Sequence, residues 1–146
     1  MSLELREINQ DNFYEICQLK VAPHQRDLVD NNALSLAEAN FMPFAWFKGV
    51  YLDNEPIGFI LINADPEKLS LWRLMIDSSR QDQGYGREVI QLLKSELLKE
   101  FCVSELYTSV VTGPGSPIDF YISCGFQRTG EWVEGREIEL SVSLVA

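Results

Sequence analysis

The residues best suited to chemistry stand together at 81–87, Gln81-Asp82-Gln83-Gly84-Tyr85-Gly86-Arg87, between an apolar strand-like run and an amphipathic helix-like one. A helix leaves its first amide N–H groups unpaired and carries partial positive charge at that end. Gly84 and Gly86 let backbone approach a ligand closely and permit dihedrals that other residues avoid. Together these features suit a phosphate or pyrophosphate, and Arg87 in the first helical turn, with Arg80 close by, can add charge-assisted contacts. The same residues also suit a glycine turn that merely joins strand to helix. Two other phosphate loops are excluded, because the chain has neither GxxxxGK(S/T) nor GxGxxG with an acid about 20 positions on. Cys17, Cys102 and Cys124 lack CxxC spacing and His24 is the single histidine, so neither a zinc site nor a disulfide framework is expected.

The elements that must position this loop can be read from periodicity. LELREI at 3–8 alternates as a strand. DNFYEICQLK at 11–20 spaces Phe13, Ile16 and Cys17 at helical intervals behind Asp11 as a cap candidate, and Pro23 stops it. Over 24–42 a polar stretch leads into Ser35-Leu36-Ala37-Glu38, a capping-box pattern for a short helix. AWFKGVYLD and PIGFILINA flank Asp53-Asn54-Glu55 as a hairpin. Leu69 to Ile76 reads as a strand and 84–100 as a helix, with Tyr85, Val89, Leu93, Leu97 and Phe101 along one stripe. SELYTSVV at 104–111 is the next strand, and TGPGSP breaks it. PIDFYISCG then gives a short helix with Pro117 in its first turn. GFQRTGEWV and REIELSVSL pair around Glu134-Gly135 as a final hairpin. This order is that of an α/β domain with a mixed central sheet.

Bulk properties fit one soluble domain. The chain has 146 residues, 46% hydrophobic and 23% charged. No apolar run approaches the roughly 20 residues of a membrane helix. MSLELREINQ has no apolar signal core, so the chain reads as cytoplasmic with no membrane partner. A net charge of −10 with only 12 Lys plus Arg argues against nucleic acid and would suit a cationic small molecule. Many cytoplasmic proteins are simply acidic, so charge alone decides nothing.

Gln81-x-x-Gly84-x-Gly86, after a strand and before an amphipathic helix, resembles the acyl-CoA loop (R/Q)xxGx(G/A) of the GNAT superfamily of N-acetyltransferases. Phe120-Tyr121-Ile122-Ser123-Cys124-Gly125-Phe126 is similar to that superfamily's Y-x-x-x-G-F near the C-terminus. The element order also fits, so the resemblance covers essentially the whole chain as one acetyltransferase domain over 1–146. It implies a mostly antiparallel mixed sheet of about six to seven strands with a splayed strand pair, and about four helices. More narrowly, VAPHQRDLVDNNALSLAEA at 21–39, WRLMID at 72–77 and GFQRTGEWVEGREIEL at 125–140 resemble the bacterial spermine/spermidine (diamine) acetyltransferases.

The resemblance implies a role for each matching position. Backbone groups of Leu74, Met75 and Ile76 would pair with the pantetheine arm of acetyl-CoA, one amide polarising the thioester carbonyl. The loop Gln81, Asp82, Gln83, Gly84, Tyr85, Gly86 and Arg87 would bind the cofactor, the amides of 83–87 holding its pyrophosphate. Tyr121 would protonate the departing CoA thiolate or hydrogen-bond its sulfur. A polyamine nitrogen is mostly ammonium at neutral pH, so a carboxylate must take its proton directly or through water. Related enzymes often carry an acid where this chain has Trp72, whose indole can hold a cation but cannot accept a proton. Glu38 is then the first candidate to bind the amine or act as base, and Asp30 the second. Both also suit solvated surface acids, and Glu38 also suits a capping partner for Ser35. Arg73 could be the inside partner of an acid. His24 reads as an exposed loop residue and Cys124 as a small buried one. Pro114 and Pro117 replace the family's Asn and a small residue, so a side-chain contact to the pantetheine is lost.

The implied function is direct acetyl transfer, within a ternary complex, from acetyl-CoA to a primary amine of a small molecule, with CoA as product. Polyamines are the leading acceptors. An aminoglycoside-like amine or an amino acid is the alternative acceptor. A non-catalytic acyl-CoA-binding sensor or partner subunit is the alternative class, favoured by Trp72 and Pro114 and opposed by Tyr121. The relatives' habit of dimerising implies a possible homodimer.

Overall fold

The computed structural model describes residues 2–25 and 30–145; the remainder of the polar stretch expected over 24–42, at 26–29, lies outside the described residues. The strands are β1 (Leu3–Arg6), β2 (Ala45–Leu52), β3 (Glu55–Asp65), β4 (Lys68–Ile76), β5 (Glu105–Val111), β6 (Gln127–Val133) and β7 (Glu137–Ser143). The helices are α1 (Phe13–Cys17), α2 (Asn32–Ala39), α3 (Tyr85–Glu100) and α4 (Ile118–Ser123). All seven strands form one mixed sheet in the order β1-β2-β3-β4-β5-β7-β6, antiparallel except where β4 meets β5. No helix among the described residues is long and apolar enough to cross a membrane.

Both expected hairpins form, and their turns explain why. Asp53 and Asn54 take φ of 49° and 75°, and Glu134 and Gly135 take 53° and 71°. Two successive left-handed residues make the turn whose twist matches the flanking strands.

The sheet is buried on both faces. Along β3 the side chains alternate, Ile60 and Ile62 packing with α3 and Phe59 and Leu61 with α1 and α2. This is why PIGFILINA is apolar without a break. The expected stripe of α3 is the one it buries: Val89, Ile90, Leu93 and Leu97 are fully enclosed and Tyr85 nearly so.

Strand β4 carries the decisive irregularity. Leu61 of β3 faces Arg73, while the next residue, Ile62, faces Leu71, so Trp72 is an extra residue with no partner of its own. Such a bulge reverses which face each later side chain occupies. Leu69 and Leu71 face α3 before it; Leu74 and Ile76 face α3 after it, and Met75 joins the α1–α2 side. Without the bulge Arg73 would point into the α3 core.

Two local expectations are corrected. The capping box at Ser35–Glu38 does not form: α2 begins at Asn32, and Asn31 caps it by accepting from the Leu34 amide at 2.8 Å. Ser35 instead lies buried in mid-helix with its hydroxyl unpartnered, and Glu38 reaches Arg73. Helix α1 spans only 13–17, starts from Asn12 and not Asp11, and has no side-chain cap.

Gly58 pairs with Ile76, and a Cβ there would sit 2.5 Å from the Met75 carbonyl oxygen and 3.1 Å from Ile76 Cδ1. Backbone cannot yield as a flexible side-chain tip can. Gly58→Ala should therefore cost about 1–3 kcal/mol, in the range of overpacked cores. Urea unfolding reads this directly, and wild-type stability in the variant would contradict it.

Candidate active site

The site begins where β4 and β5 part. They pair only at Ser70 with Tyr107 and Leu71 with Thr108. At this apex the Thr108 hydroxyl donates to the Leu71 carbonyl at 3.0 Å. Beyond it, among the described residues, the β4 edge facing β5 has no strand partner, so its main-chain groups are open to a ligand. Two β4 carbonyls past the apex have side-chain partners: Ile76 accepts from Gln81 Nε2 and Trp72 from Arg73 Nη1, both at 2.9 Å.

The chain then turns sharply into α3. Asp77 accepts from the Lys20 amide at 2.8 Å, and from the Ser79 amide and hydroxyl at 3.2 and 2.6 Å. Gln81 also donates to Gln25 at 2.8 Å, and Arg80 pairs with Glu55 at 2.6 Å. These side chains shape the loop and do not offer themselves to a ligand. Asp82 is left-handed at φ 61°, and Gly84 caps the helix at φ 84°. The first helical bond runs from the Glu88 amide to the Gly84 carbonyl, leaving the preceding amides as free donors. Gly86 is required to be small, because a Cβ there would lie 3.0 Å from the Phe120 ring. Arg87 uses one nitrogen to donate to the Ser123 carbonyl at 2.7 Å, which fixes the guanidinium beside the helix mouth.

Tyr121 lies across the wedge on α4, 7% exposed, between the rings of Phe120 and Phe126 at 5.2 and 5.1 Å. Burial pushes its phenol far above the ordinary value, nearby Cys124 adds to this, and the adjacent Thr108 hydroxyl opposes it. Tyr121 therefore keeps its proton throughout the working pH range. Burial likewise pushes up the Cys124 thiol, which suits a packed residue and not a nucleophile.

The wedge, the loop and Tyr121 open onto one cleft of about 840 Å³. Its walls include Leu74, Met75, Ile76, Gln81, Asp82 and Gly84, then Tyr85, Gly86, Arg87 and Tyr121. At the opposite end stand Trp72, 41% exposed, with Arg73 and Asp30. Arg73 Nη2 donates to Asp30 Oδ2 at 2.7 Å and to Glu38 Oε1 at 3.3 Å, and Nη1 donates to the Trp72 carbonyl at 2.9 Å. Among the residues anticipated from sequence, Gln83 and Glu38 lie outside the cleft wall. Free amides at a helix mouth and an open strand edge fit an anionic, amide-bearing ligand such as CoA.

Sequence reasoning missed Thr108, Phe120, Gln25 and Ser116. A signal existed for Thr108: in β5, residues 106, 108 and 110 are the buried set, and a hydroxyl at a core position needs a partner. Ser116 accepts from the Ile118 amide at 3.3 Å and donates to the Val111 carbonyl at 2.6 Å, securing the start of α4 after Pro114.

A splayed parallel strand pair running into an open helix mouth, with a buried phenol opposite, defines an acyl-CoA-dependent acyltransferase. The sequence model of the Acetyltransferase (GNAT) family matches residues 3–126, and the chain belongs to that family. It is an acetyltransferase that uses acetyl-CoA. The spermine/spermidine N(1)-acetyltransferase of Bacillus subtilis strain 168 is 24% identical over 139 residues, spanning 90% of this chain and 91% of that one. Among solved structures, an acetyltransferase from Thermus thermophilus superposes with a TM-score of 0.76 at 18% identity, covering 98% of this chain and 97% of that one. The PaiA N-acetyltransferase from Thermoplasma acidophilum, in complex with coenzyme A, gives a TM-score of 0.71 at 17% identity, with 98% and 99% covered.

Asp77 ties the loop to the end of β4. Burial alone would raise its carboxyl, but hydrogen bonds from the Ser79 side chain and the Lys20 and Ser79 amides, with Arg80 nearby, hold it below the usual range. A lowered folded value means stability that is fully present above the ordinary value of 3.8 and lost as pH falls through the lowered one. Asp77→Ala should cost about 0.5–2 kcal/mol at neutral pH, as loss of a cap does. The gap between the two proteins in urea melts should narrow below pH 3.8. A gap unchanged at low pH would exclude this carboxylate as its source.

Proposed function

We propose that this protein acetylates a primary amine of a small cationic molecule, with polyamines as the leading acceptor class. The observation that carries this reading is that the unpaired β4 edge, the open mouth of α3 and the neutral Tyr121 line one cleft, whose far end presents Trp72 and Asp30. The likeness to a relative named for spermine and spermidine supports the acceptor class.

Acetyl-CoA supplies the acetyl group as an activated thioester. Main-chain groups of Leu74, Met75 and Ile76 would hold the pantetheine arm, and one strand amide would stabilise the charge that develops on the thioester oxygen. The amides of 83–87 and the Arg87 guanidinium hold the pyrophosphate. Tyr121 keeps its proton on Oη even in alkaline solution, so it can hydrogen-bond the departing sulfur or protonate it as the thiolate forms. Trp72 and Asp30 hold the acceptor, and its excess proton leaves to a carboxylate or to water. Glu38 stands behind Arg73 and acts on the acceptor through that guanidinium. The lost side-chain contact at Pro114 is offset by main-chain binding. The protein works in the cytoplasm as a single domain over 1–146.

Thiol release from acetyl-CoA, measured across a panel of amines, tests the reading as a whole. Release with a cationic amine is the expected result; binding without release to any amine would leave only a sensor. Tyr121→Phe should lower turnover by about 10²–10⁴-fold with little change in acetyl-CoA affinity. Near-full turnover in that variant would remove Tyr121 from the chemistry. Gly84→Val should weaken CoA binding tenfold or more, about 1.4 kcal/mol. Calorimetry on the folded variant checks this, and unchanged affinity would place the ligand elsewhere.

A further inference from the structure

The acceptor end of the cleft contains an arginine that the reaction does not account for. Arg73 lies in β4 one residue past the bulge, with its side chain 23% exposed. Nη2 serves both Asp30 and Glu38, Nη1 serves the Trp72 carbonyl, and Nε is buried with no partner. An unpaired buried donor is a cost, so the guanidinium sits at some disadvantage in order to meet both acids. The consequence is electrostatic. Asp30 and Glu38 would present two negative charges; with Arg73 between them the cluster carries one.

We propose that Arg73 is a specificity-determining residue, setting the charge of the acceptor end so that it matches an amine with one further ammonium group. The inference rests on the amine acetyltransferase reading and narrows its substrate class to short aliphatic diamines. In such a molecule one terminal nitrogen is deprotonated and acetylated. The other remains an ammonium, held by the net single negative charge of the cluster and by the Trp72 ring. Spermidine and spermine bring a second and third ammonium, for which no free carboxylate remains in the cluster. Their extra charge meets Arg73 itself, and like charges in a cleft discriminate strongly. Arg73 acts on specificity without touching the reacting atoms.

The test is acetyl transfer, followed by thiol release, to a series of a propylamine-type monoamine, a butane diamine, spermidine and spermine. The proteins are the wild type, Arg73→Gln and Arg73→Lys. The wild type should show its highest kcat/KM with the diamine. Arg73→Gln frees one negative charge and should move the preference toward spermidine and spermine by roughly tenfold or more, a shift that one close charge pair can supply. The change should lie in KM for the polycationic amines. Arg73→Lys should keep the wild-type order. Asp30→Asn provides an independent arm that leaves β4 intact: with the cluster neutral, the diamine should lose its advantage over the monoamine. An unchanged order of preference in Arg73→Gln or, if that variant fails to fold, in Asp30→Asn would overturn the proposal while leaving the amine acetyltransferase standing. Acetyl-CoA binding without transfer to any of the four amines would overturn both.

Discussion

A single extra residue in β4 governs how this molecule divides its labour. Because side chains alternate along a strand, inserting Trp72 without a partner turns over every position that follows it. Leu74 and Ile76 then keep the α3 core filled, Met75 moves under α1 and α2, and Arg73 emerges where Asp30 and Glu38 stand. The bulged residue itself is thrown outward at the mouth of the cleft. An uninterrupted strand would bury a guanidinium in the apolar core under α3, at a desolvation cost the domain could not sustain. The bulge also falls just past the last residue pair that joins β4 to β5, so the strand bends away where its edge must become free.

The two ends of the cleft are built from different material. The donor end is almost wholly main chain: an open strand edge, amides at the mouth of α3, and glycines that keep side chains out of the way. Its specific side chains, Asp77, Gln81 and Arg80, bond inward and hold the loop's shape. Main-chain recognition depends on backbone path, so it survives wide sequence divergence. Solved structures share the fold at only 15–18% identity. The other end is side chain throughout, with the Trp72 indole exposed and Arg73 bridging the carboxylates of Asp30 and Glu38.

Legibility in the sequence followed the same division. Strands, helices, hairpin turns and the glycine loop ahead of α3 could be read because each is a local signal: alternation, a helical stripe, left-handed turn residues, glycines ahead of a helix. The splayed pair came from family resemblance, because nothing in TSVV or RLMI alone says that two strands part. The bulge was hard to read, since Leu-Trp-Arg-Leu-Met-Ile is apolar on both phases apart from Arg73, a single charge that does not by itself reveal a shift of register. The start of α2 was misplaced because two capping patterns lie four residues apart, at Asn31 and Ser35. Burial chose between them: Ser35 faces inward against the sheet, while Asn32 donates to the Ile16 carbonyl at 2.8 Å and fixes α2 against α1. That long-range bond has no local signature.

The same logic explains where the titratable groups sit. A phenol can be buried cheaply in its neutral form, and burial is what keeps it neutral, so Tyr121 belongs in the core between Phe120 and Phe126. A charged carboxylate in a cleft needs water or a counter-ion. Asp30 and Glu38 have both, with side chains 46% and 41% exposed and one guanidinium between them. Packing therefore keeps Tyr121 neutral, and partial solvation with one shared counter-ion accommodates Asp30 and Glu38. Both sets of conditions are satisfied on one sheet because β4 changes face at Trp72, turning hydrocarbon toward α3 and charge toward α2.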